Sequence, residues 1–411
     1  MNKTLLKLAL YLNYFVFAIL LCSMGIVILQ VQRNFDITSS NASVVEAFKD
    51  LPIAITSFIV ASFLPKIGLK KSMLIGSALV TIACFLLPFS WAFWNFKLFF
   101  LIAGASFALV KISVFAVIGI ITKNEKEHSS FMSTLEAVFM AGVLFGNFLI
   151  SQFVDDRQPT STQWLNGYWV VGALSIIGFL LLFFSQLDES QSKLENRSLA
   201  NDFKEMLQLI VKPLTIVFII SVFFYVLLEQ SFTSWFPTFY KEILNAPSSL
   251  AIQAGAILAG ATFIGRLISG YILLKVKWIH LLSFCLLAVG IIVLVALPMA
   301  KNTQISIATI SWFNAPLVVY LMPMMGLFLA PIYPTLNSTI LSAMPKHTHS
   351  SMSGLIVVFS ALGGTTGSII TGHVFHSFNG TTAFYLSLIP ITVIFVALLL
   401  LNRMVTKNKW S

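Results

Sequence analysis

Charge is what this sequence has least of. Of its 411 residues only 10% are Asp, Glu, Lys or Arg, while 58% are apolar, and the mean hydropathy is +0.92. A soluble globular chain carries roughly 25% charged residues to cover its surface. Two or three water-soluble domains are therefore excluded, and lipid must be the solvent for most of the surface. Cysteine is also scarce: Cys22, Cys84 and Cys285 are odd in number, far apart and each inside an apolar run. They form neither a disulfide framework nor a zinc site. No Walker-type phosphate loop occurs, which excludes ATP-driven transport. Asp155-Asp156 stands alone, without a second acidic cluster to hold a magnesium–diphosphate. His347 and His349 are expected on one side of the membrane and His373 and His376 near the other, so no metal is expected. The chain reads as neither an enzyme nor a cofactor-binding protein. The net charge of +10 suits nucleic acid in principle, but the basic residues cluster in short loops and not on one face. No nucleic-acid partner is expected.

Long apolar runs are what the sequence has instead. A bilayer core of about 30 Å needs about 20 residues of helix. Such runs fall at 8–31, 45–64, 72–93, 99–121, 129–153 and 167–187 in the first half, and at 213–240, 248–274, 279–299, 310–341, 350–374 and 382–402 in the second. None alternates polar and apolar residues as a lipid-facing barrel strand does, so the spans are helices. The first run is too long for a signal-peptide core and lacks a clear small-residue cleavage site. It is expected to stay as the first membrane helix.

Lysine and arginine set the orientation. With the N-terminus inside, seventeen of them fall in cytoplasmic segments and five in outer loops, leaving Lys49, Lys111 and Arg266 inside spans. By the positive-inside rule both termini are cytoplasmic. The charged segment 188–212 has no apolar core of its own. It is expected to be a cytoplasmic linker, with a surface helix over 199–209, joining an N-terminal six-helix bundle (1–187) to a C-terminal one (213–411).

The halves echo each other. Ala61-Ser-Phe-Leu-Pro65-Lys66-Ile-Gly68-Leu-Lys70 ends the second span, and Gly270-Tyr-Ile-Leu-Leu274-Lys275-Val-Lys277 ends the eighth. Both place a small residue at the helix end, a lysine five residues later, and a tight basic turn. Paired halves of this kind mark transporter folds. The turn resembles the signature of the major facilitator superfamily, usually Gly-x-x-x-Asp-Arg-x-Gly-Arg-Arg. Lys66, Gly68 and Lys70 fit it; Ala61 replaces the first Gly, and Pro65 stands where the Asp of the usual charge latch belongs. Gly265-Arg266 with Gly270, Pro331-Ile-Tyr333-Pro334-Thr335 and Gly363-Gly364 are also similar to the family's patterns. The resemblance covers the whole chain and implies twelve membrane helices in two pseudo-symmetric six-helix bundles, with Gly68, Lys70 and Arg266 at the gates. Within the family, Tyr225-Val226-Leu-Leu-Glu229 resembles the seventh span of the fucose–galactose–glucose:proton symporter group, and Gln30 falls near a Gln that ends that group's first span. Two positions depart from the group: Gly25 stands where the fucose transporter has an Asp, and Lys111 lies close to the position of a Glu.

A charge at mid-membrane costs at least ~2.5–3.5 kcal/mol, so each needs a reason. The spans hold Glu46, Lys49, Asp50, Lys111, Glu136, Glu229 and Arg266, whereas the third, sixth, ninth and twelfth have none. The resemblance makes those four the lipid-facing helices. Counting rise per residue puts Lys111 ~18 Å along its span, near the midplane, and Glu136 about 10 Å deep. Three roles for Lys111 stay open: an anchor for an anionic solute, a static pair with Asp50 or Glu136, or an ion pair that switches partners. Glu229 fits a proton carrier, with Glu136 and Asp50 as further proton sites. The bland alternative is a protonated Glu229 bonded to a carbonyl. Gln30, Asn147, Gln230, Trp235, Asn314, Tyr333 and Asn337 either grip a solute or hold helices together.

The expected activity is proton-coupled uptake of a small polar solute, sugar-like or carboxylate-bearing, by alternating access. A proton-driven exporter of drugs or siderophore-like metabolites is the alternative within transporters, and a membrane sensor or lipid-handling protein the alternative outside them. The partners are then the solute, protons and the bilayer of a cell membrane, a bacterial inner membrane in this reading, with the chain working as a monomer.

Overall fold

The computed structural model describes residues 3–90, 92–122, 125–189, 208–273, 275–303, 312, 314–343 and 349–407. Among these there is no strand. The helices are α1 (Lys3–Cys22), α2 (Met24–Asn34), α3 (Ser39–Ile67), α4 (Leu69–Leu86), α5 (Phe93–Ile121), α6 (Glu125–Ser151) and α7 (Gly167–Phe184), followed by α8 (Pro213–Glu242), α9 (Ser248–Ile272) and α10 (Trp278–Asn302). Then come α11 (Leu317–Leu321), α12 (Met325–Leu329), α13 (Ile332–Ala343), α14 (His349–Ser377), α15 (Gly380–Tyr385) and α16 (Leu388–Lys407). Eleven stretches are long and apolar enough to cross a membrane. The twelfth crossing is α3, 29 residues long, whose Glu46, Lys49 and Asp50 lower its apolar content. The fold is an all-α, twelve-span membrane protein.

Three expected spans are not single helices. The first is interrupted at Ser23, whose Oγ donates to the Leu20 carbonyl at 2.8 Å and meets Tyr168 Oη at 3.1 Å. A serine that bonds back to its own helix bends it. The tenth is cut into α11, α12 and α13 around Pro323 and Pro331, because proline removes a helical N–H and its ring clashes with the preceding turn. The twelfth is cut between α15 and α16, four residues before Pro390, for the same reason. Proline alone does not decide the outcome: Pro237 and Pro298 lie inside continuous helices. The tenth span also starts later than expected. Asn314 is exposed and precedes α11, so its place is a connection and not a membrane helix. Residues 190–207, and with them most of the surface helix expected over 199–209, lie outside the described residues, while 208–210 are helical.

The chain forms two compact units, one of residues 1–36 and 45–199, the other of residues 37–44 and 200–411. In the first, α1 packs on α5, α6 and α7, and α4 on α5 and α7. Asn13 pins three helices there: its Nδ2 donates to the carbonyls of Ala9 (2.8 Å) and Gly178 (3.1 Å), and its Oδ1 accepts from Ser77. Without a hydrophobic drive between helices in lipid, such bonds and close backbone approach hold the bundle. In the second unit α8 packs on α14, α16 and α9, and α10 on α12 and α16.

Close approach is made by glycine. A Cβ at Gly367 would collide with the Leu227 carbonyl of α8, and one at Gly104 with the Lys49 carbonyl of α3, whereas Gly270 has open space around it. Gly367→Ala is therefore expected to lower stability by about 1–3 kcal/mol, the cost of overpacking. Gly270→Ala, in a helix with room for the methyl, is expected to be neutral or slightly stabilising. Thermal unfolding of the two variants in detergent checks this.

Candidate functional site

The first unit brings together Lys111 of α5 and a sleeve of rings. Phe107 and Phe115 lie one turn before and after Lys111 on the same helix face, and its ammonium sits 5.5 Å and 5.8 Å from their ring centroids. Tyr14 of α1 completes the wall, with centroids 6.0 Å from Phe107, 6.4 Å from Phe115 and 5.5 Å from Phe139 of α6. A cation over desolvated ring faces gains about 2 kcal/mol from the ring quadrupoles, which is part of how the lysine is tolerated at this depth. Glu136, exposed on α6, acts electrostatically on both Lys111 and Tyr14. No ion pair of Lys111 is found among the described residues.

Asp50 is engaged elsewhere. Lys49, itself buried, forms an ion pair with the fully buried Glu46 one turn earlier and stands 3.4 Å from Asp50 Oδ1. Of the two acids considered as a static partner of Lys111, Asp50 lies beside Lys49 instead, and two acids share one base on α3. Among the other residues picked from the sequence, Asn147 Nδ2 donates to the Val143 carbonyl of its own helix at 3.2 Å. Gln30 is 2% exposed, and its Nε2 has no hydrogen-bond partner among the described residues. A buried amide donor left open is costly, which suits a group that waits for a ligand or a water.

The second unit has its own polar centre on α8, α9, α13 and α14. Tyr225 and Glu229 are one helical turn apart, and Tyr225 Oη lies 2.9 Å from Glu229 Oε1 and 3.0 Å from the Leu329 carbonyl oxygen. Tyr225 stacks on Tyr333 with centroids 5.7 Å apart. Tyr333 Oη in turn reaches Ser360 Oγ at 3.2 Å and bonds Asn337. The charges of Glu229 and Arg266 act on both tyrosines. Glu229 and Arg266, 37 positions apart in the sequence, thus share one electrostatic neighbourhood through these rings.

Gln230 and Trp235 are spent within the fold. Gln230 Nε2 donates to Ser234 Oγ at 2.7 Å. The fully buried Trp235 stacks on Phe375 at 5.0 Å and donates to the Ser368 carbonyl at 3.1 Å, which binds α8 to α14.

The basic turn of the first unit recovers its missing carboxylate. Gly68, at φ 94°, takes a conformation that side chains disfavour, and this exposes the first amides of α4. Glu189 accepts from Leu69 N (3.0 Å) and Lys70 N (2.8 Å). Lys70 Nζ donates to the Phe183 and Ser185 carbonyls at the end of α7, at 2.9 and 2.5 Å. An anion thus caps a helix start and a cation a helix end, each matched to the local dipole. Glu189 was legible only as linker charge.

Comparison with known proteins agrees with this architecture. The family model described as Major Facilitator Superfamily matches residues 8–368. A curated relative, the protein TsgA homolog of Buchnera aphidicola subsp. Schizaphis graminum (strain Sg), is 24% identical over 394 residues, covering 93% of this chain and 91% of the relative. Among solved structures, the nucleoside transporter NupG superposes with a TM-score of 0.75 at 15% identity over 96% of this chain and 99% of its own. A D-xylose–proton symporter gives 0.72 at 14% over 98% and 97%. The transporter FucP in its outward conformation gives 0.62 at 16% over 96% and 98%.

The turn generates a prediction. Glu189→Ala removes two charge-assisted bonds to the start of α4 and is expected to lower stability by about 0.5–2 kcal/mol, the range of a lost helix cap. Glu189→Gln, which keeps one acceptor, is expected to fall between the two. Thermal shifts of purified protein at low ionic strength measure both.

Proposed function

The chain belongs to the Major Facilitator Superfamily, and we propose that it carries out proton-coupled uptake of a small polar solute, sugar-like or carboxylate-bearing, by alternating access. That it is a multi-pass membrane transporter of small solutes, not an enzyme, follows from the family. The finer reading is carried by one observation: Lys111 sits in an aromatic sleeve without an ion pair among the described residues, with the charge of Glu136 acting on it from the next helix. Ring faces suit a sugar or another flat solute, and the ammonium suits its carboxylate or hydroxyls. A solute anion would neutralise a lysine that ring faces and the charge of Glu136 support without an ion pair among the described residues.

Proton coupling is placed on Glu229. A carboxyl inside a membrane span is costly when charged, and here it lies against a tyrosine hydroxyl with Arg266 acting on the same group. Glu136 and Asp50 remain the further proton sites of the proposal. Both termini are placed in the cytoplasm of a bacterial inner membrane on the lysine and arginine asymmetry of the loops. The boundary between the six-helix bundles is placed at 188–212, and the monomer is taken as the working unit.

Two substitutions test this in proteoliposomes. Glu229→Gln mimics the protonated form: accumulation driven by a proton gradient is expected to fail while exchange of labelled solute across the membrane persists. Loss of both in a folded protein would remove Glu229 as the proton site, and expulsion in place of accumulation by the wild type would make the chain an exporter. Lys111→Met is expected to leave folding nearly intact, abolish binding of acidic solutes and spare neutral ones. If instead the variant is strongly destabilised and Glu136→Gln restores it, the lysine is a static partner and not a solute anchor.

A further inference from the structure

The hydroxyl of Tyr225 faces more acceptors than it has protons. A phenol carries one hydrogen, and the two oxygens within bonding distance are Glu229 Oε1 at 2.9 Å and the Leu329 carbonyl at 3.0 Å. The carbonyl is an acceptor only. Leu329 ends α12, where Pro331 interrupts the tenth span before α13 begins at Ile332. A backbone carbonyl at such a break in hydrocarbon needs an outside donor, and the buried Tyr225 of α8 supplies it. When Tyr225 donates to Leu329, the Oη–Oε1 contact closes only if Glu229 carries a proton and donates it to Oη. When Glu229 is ionised, the carboxylate is the stronger acceptor and draws the phenol hydrogen to itself, leaving the Leu329 carbonyl without its donor.

We infer that Tyr225 is a positioning residue that ties the protonation of Glu229 to the break in the tenth span: protonated Glu229 keeps α12 bonded to α8, and ionised Glu229 releases it. The inference rests on the reading of Glu229 as a proton site and adds what its proton does to the fold. The groups whose charges act on Tyr225 are Glu229 on its own helix, Arg266 on α9 and Tyr333 on α13. The other titratable groups with described side chains on helices packed against α8 are Tyr271 on α9, His373 and His376 on α14, Tyr385 on α15 and Arg403 on α16, and none of these is among the charges that act on Tyr225. Arg266 is the one cation of the three, and its charge acts on the hydroxyl that the two acceptors share. Tyr333, stacked on Tyr225, holds the ring in place whichever acceptor the hydroxyl serves.

The test is hydrogen–deuterium exchange of the backbone over residues 325–340, on the full chain in detergent, across pH and with each variant compared with wild type at the same pH. In wild type, protection is expected to fall roughly 3–10-fold as the pH is raised, the size of one neutral hydrogen bond. Glu229→Gln, whose amide donates to Oη as the protonated acid does, is expected to keep high protection at every pH. Tyr225→Phe keeps the stacked ring and removes the hydroxyl, so its protection is expected to be low at every pH. A wild-type profile without pH dependence would overturn the inference, as would a Tyr225→Phe variant that keeps the wild-type profile. Should Glu229→Gln accumulate no solute yet show the wild-type exchange profile, the proton site stands and the tie through Tyr225 falls. Should Tyr225→Phe be flat while Glu229→Gln keeps both the wild-type profile and gradient-driven accumulation, Tyr225 pins the break but Glu229 is not the group that titrates, and the inference also falls.

Discussion

Hydrocarbon tolerates no polar group without a partner, and the structure follows from that constraint. It makes every span helical, so that the backbone satisfies itself. It leaves side-chain hydrogen bonds and glycine contacts, not hydrophobic burial, to hold one helix to the next. Asn13, fixing α1 to α4 and α7, and Gly367, laid on the Leu227 carbonyl, are both answers to it. Where proline breaks a span the constraint returns locally. The carbonyl of Leu329 is met by a tyrosine from another helix, and that repair places the hydroxyl beside a carboxyl.

The same constraint sorts the charges. Each unit answers it in its own way. In the first, Glu46, Lys49 and Asp50 cancel in part among themselves on one helix, while Lys111 is held by ring faces and the more distant Glu136. In the second, Glu229 and Arg266 share the environment of two stacked tyrosines. A lysine held over ring faces and an acid that shares a phenol with a backbone carbonyl are both groups that exchange partners at modest cost. Transport with proton coupling needs that property, and a tightly closed salt bridge lacks it.

Much of this was legible in the sequence because membrane helices are written in composition. The apolar runs and the scarcity of charge gave twelve crossings, and the motifs around Gly68, Arg266 and Pro331 pointed to the family. The i,i+4 spacings Phe107–Lys111–Phe115 and Tyr225–Glu229 were also present, though their meaning depends on what faces them across the bundle. What stayed hidden was of that kind. Ser23 interrupts a helix without a proline to announce it. Glu189, 120 residues from Leu69, replaces the carboxylate missing at Pro65. Asp50 turns to Lys49 and not to Lys111. Asn314 fell into the tenth span on hydropathy, while the helix begins only at Leu317. Hydropathy reports the solvent of a segment; the partner of a side chain is set by tertiary packing.

The central claim is that Glu229 takes up and releases a proton, and that it is protonated while Tyr225 donates to the Leu329 carbonyl. Infrared difference spectroscopy of the protein in lipid, titrated with pH, reads this directly through the carbonyl stretch of a protonated carboxylic acid. The account predicts a band in wild type at low pH that is absent from Glu229→Gln and is lost as the pH is raised. A wild-type difference spectrum indistinguishable from that of Glu229→Gln at every pH would show that Glu229 keeps one protonation state throughout, and would contradict it.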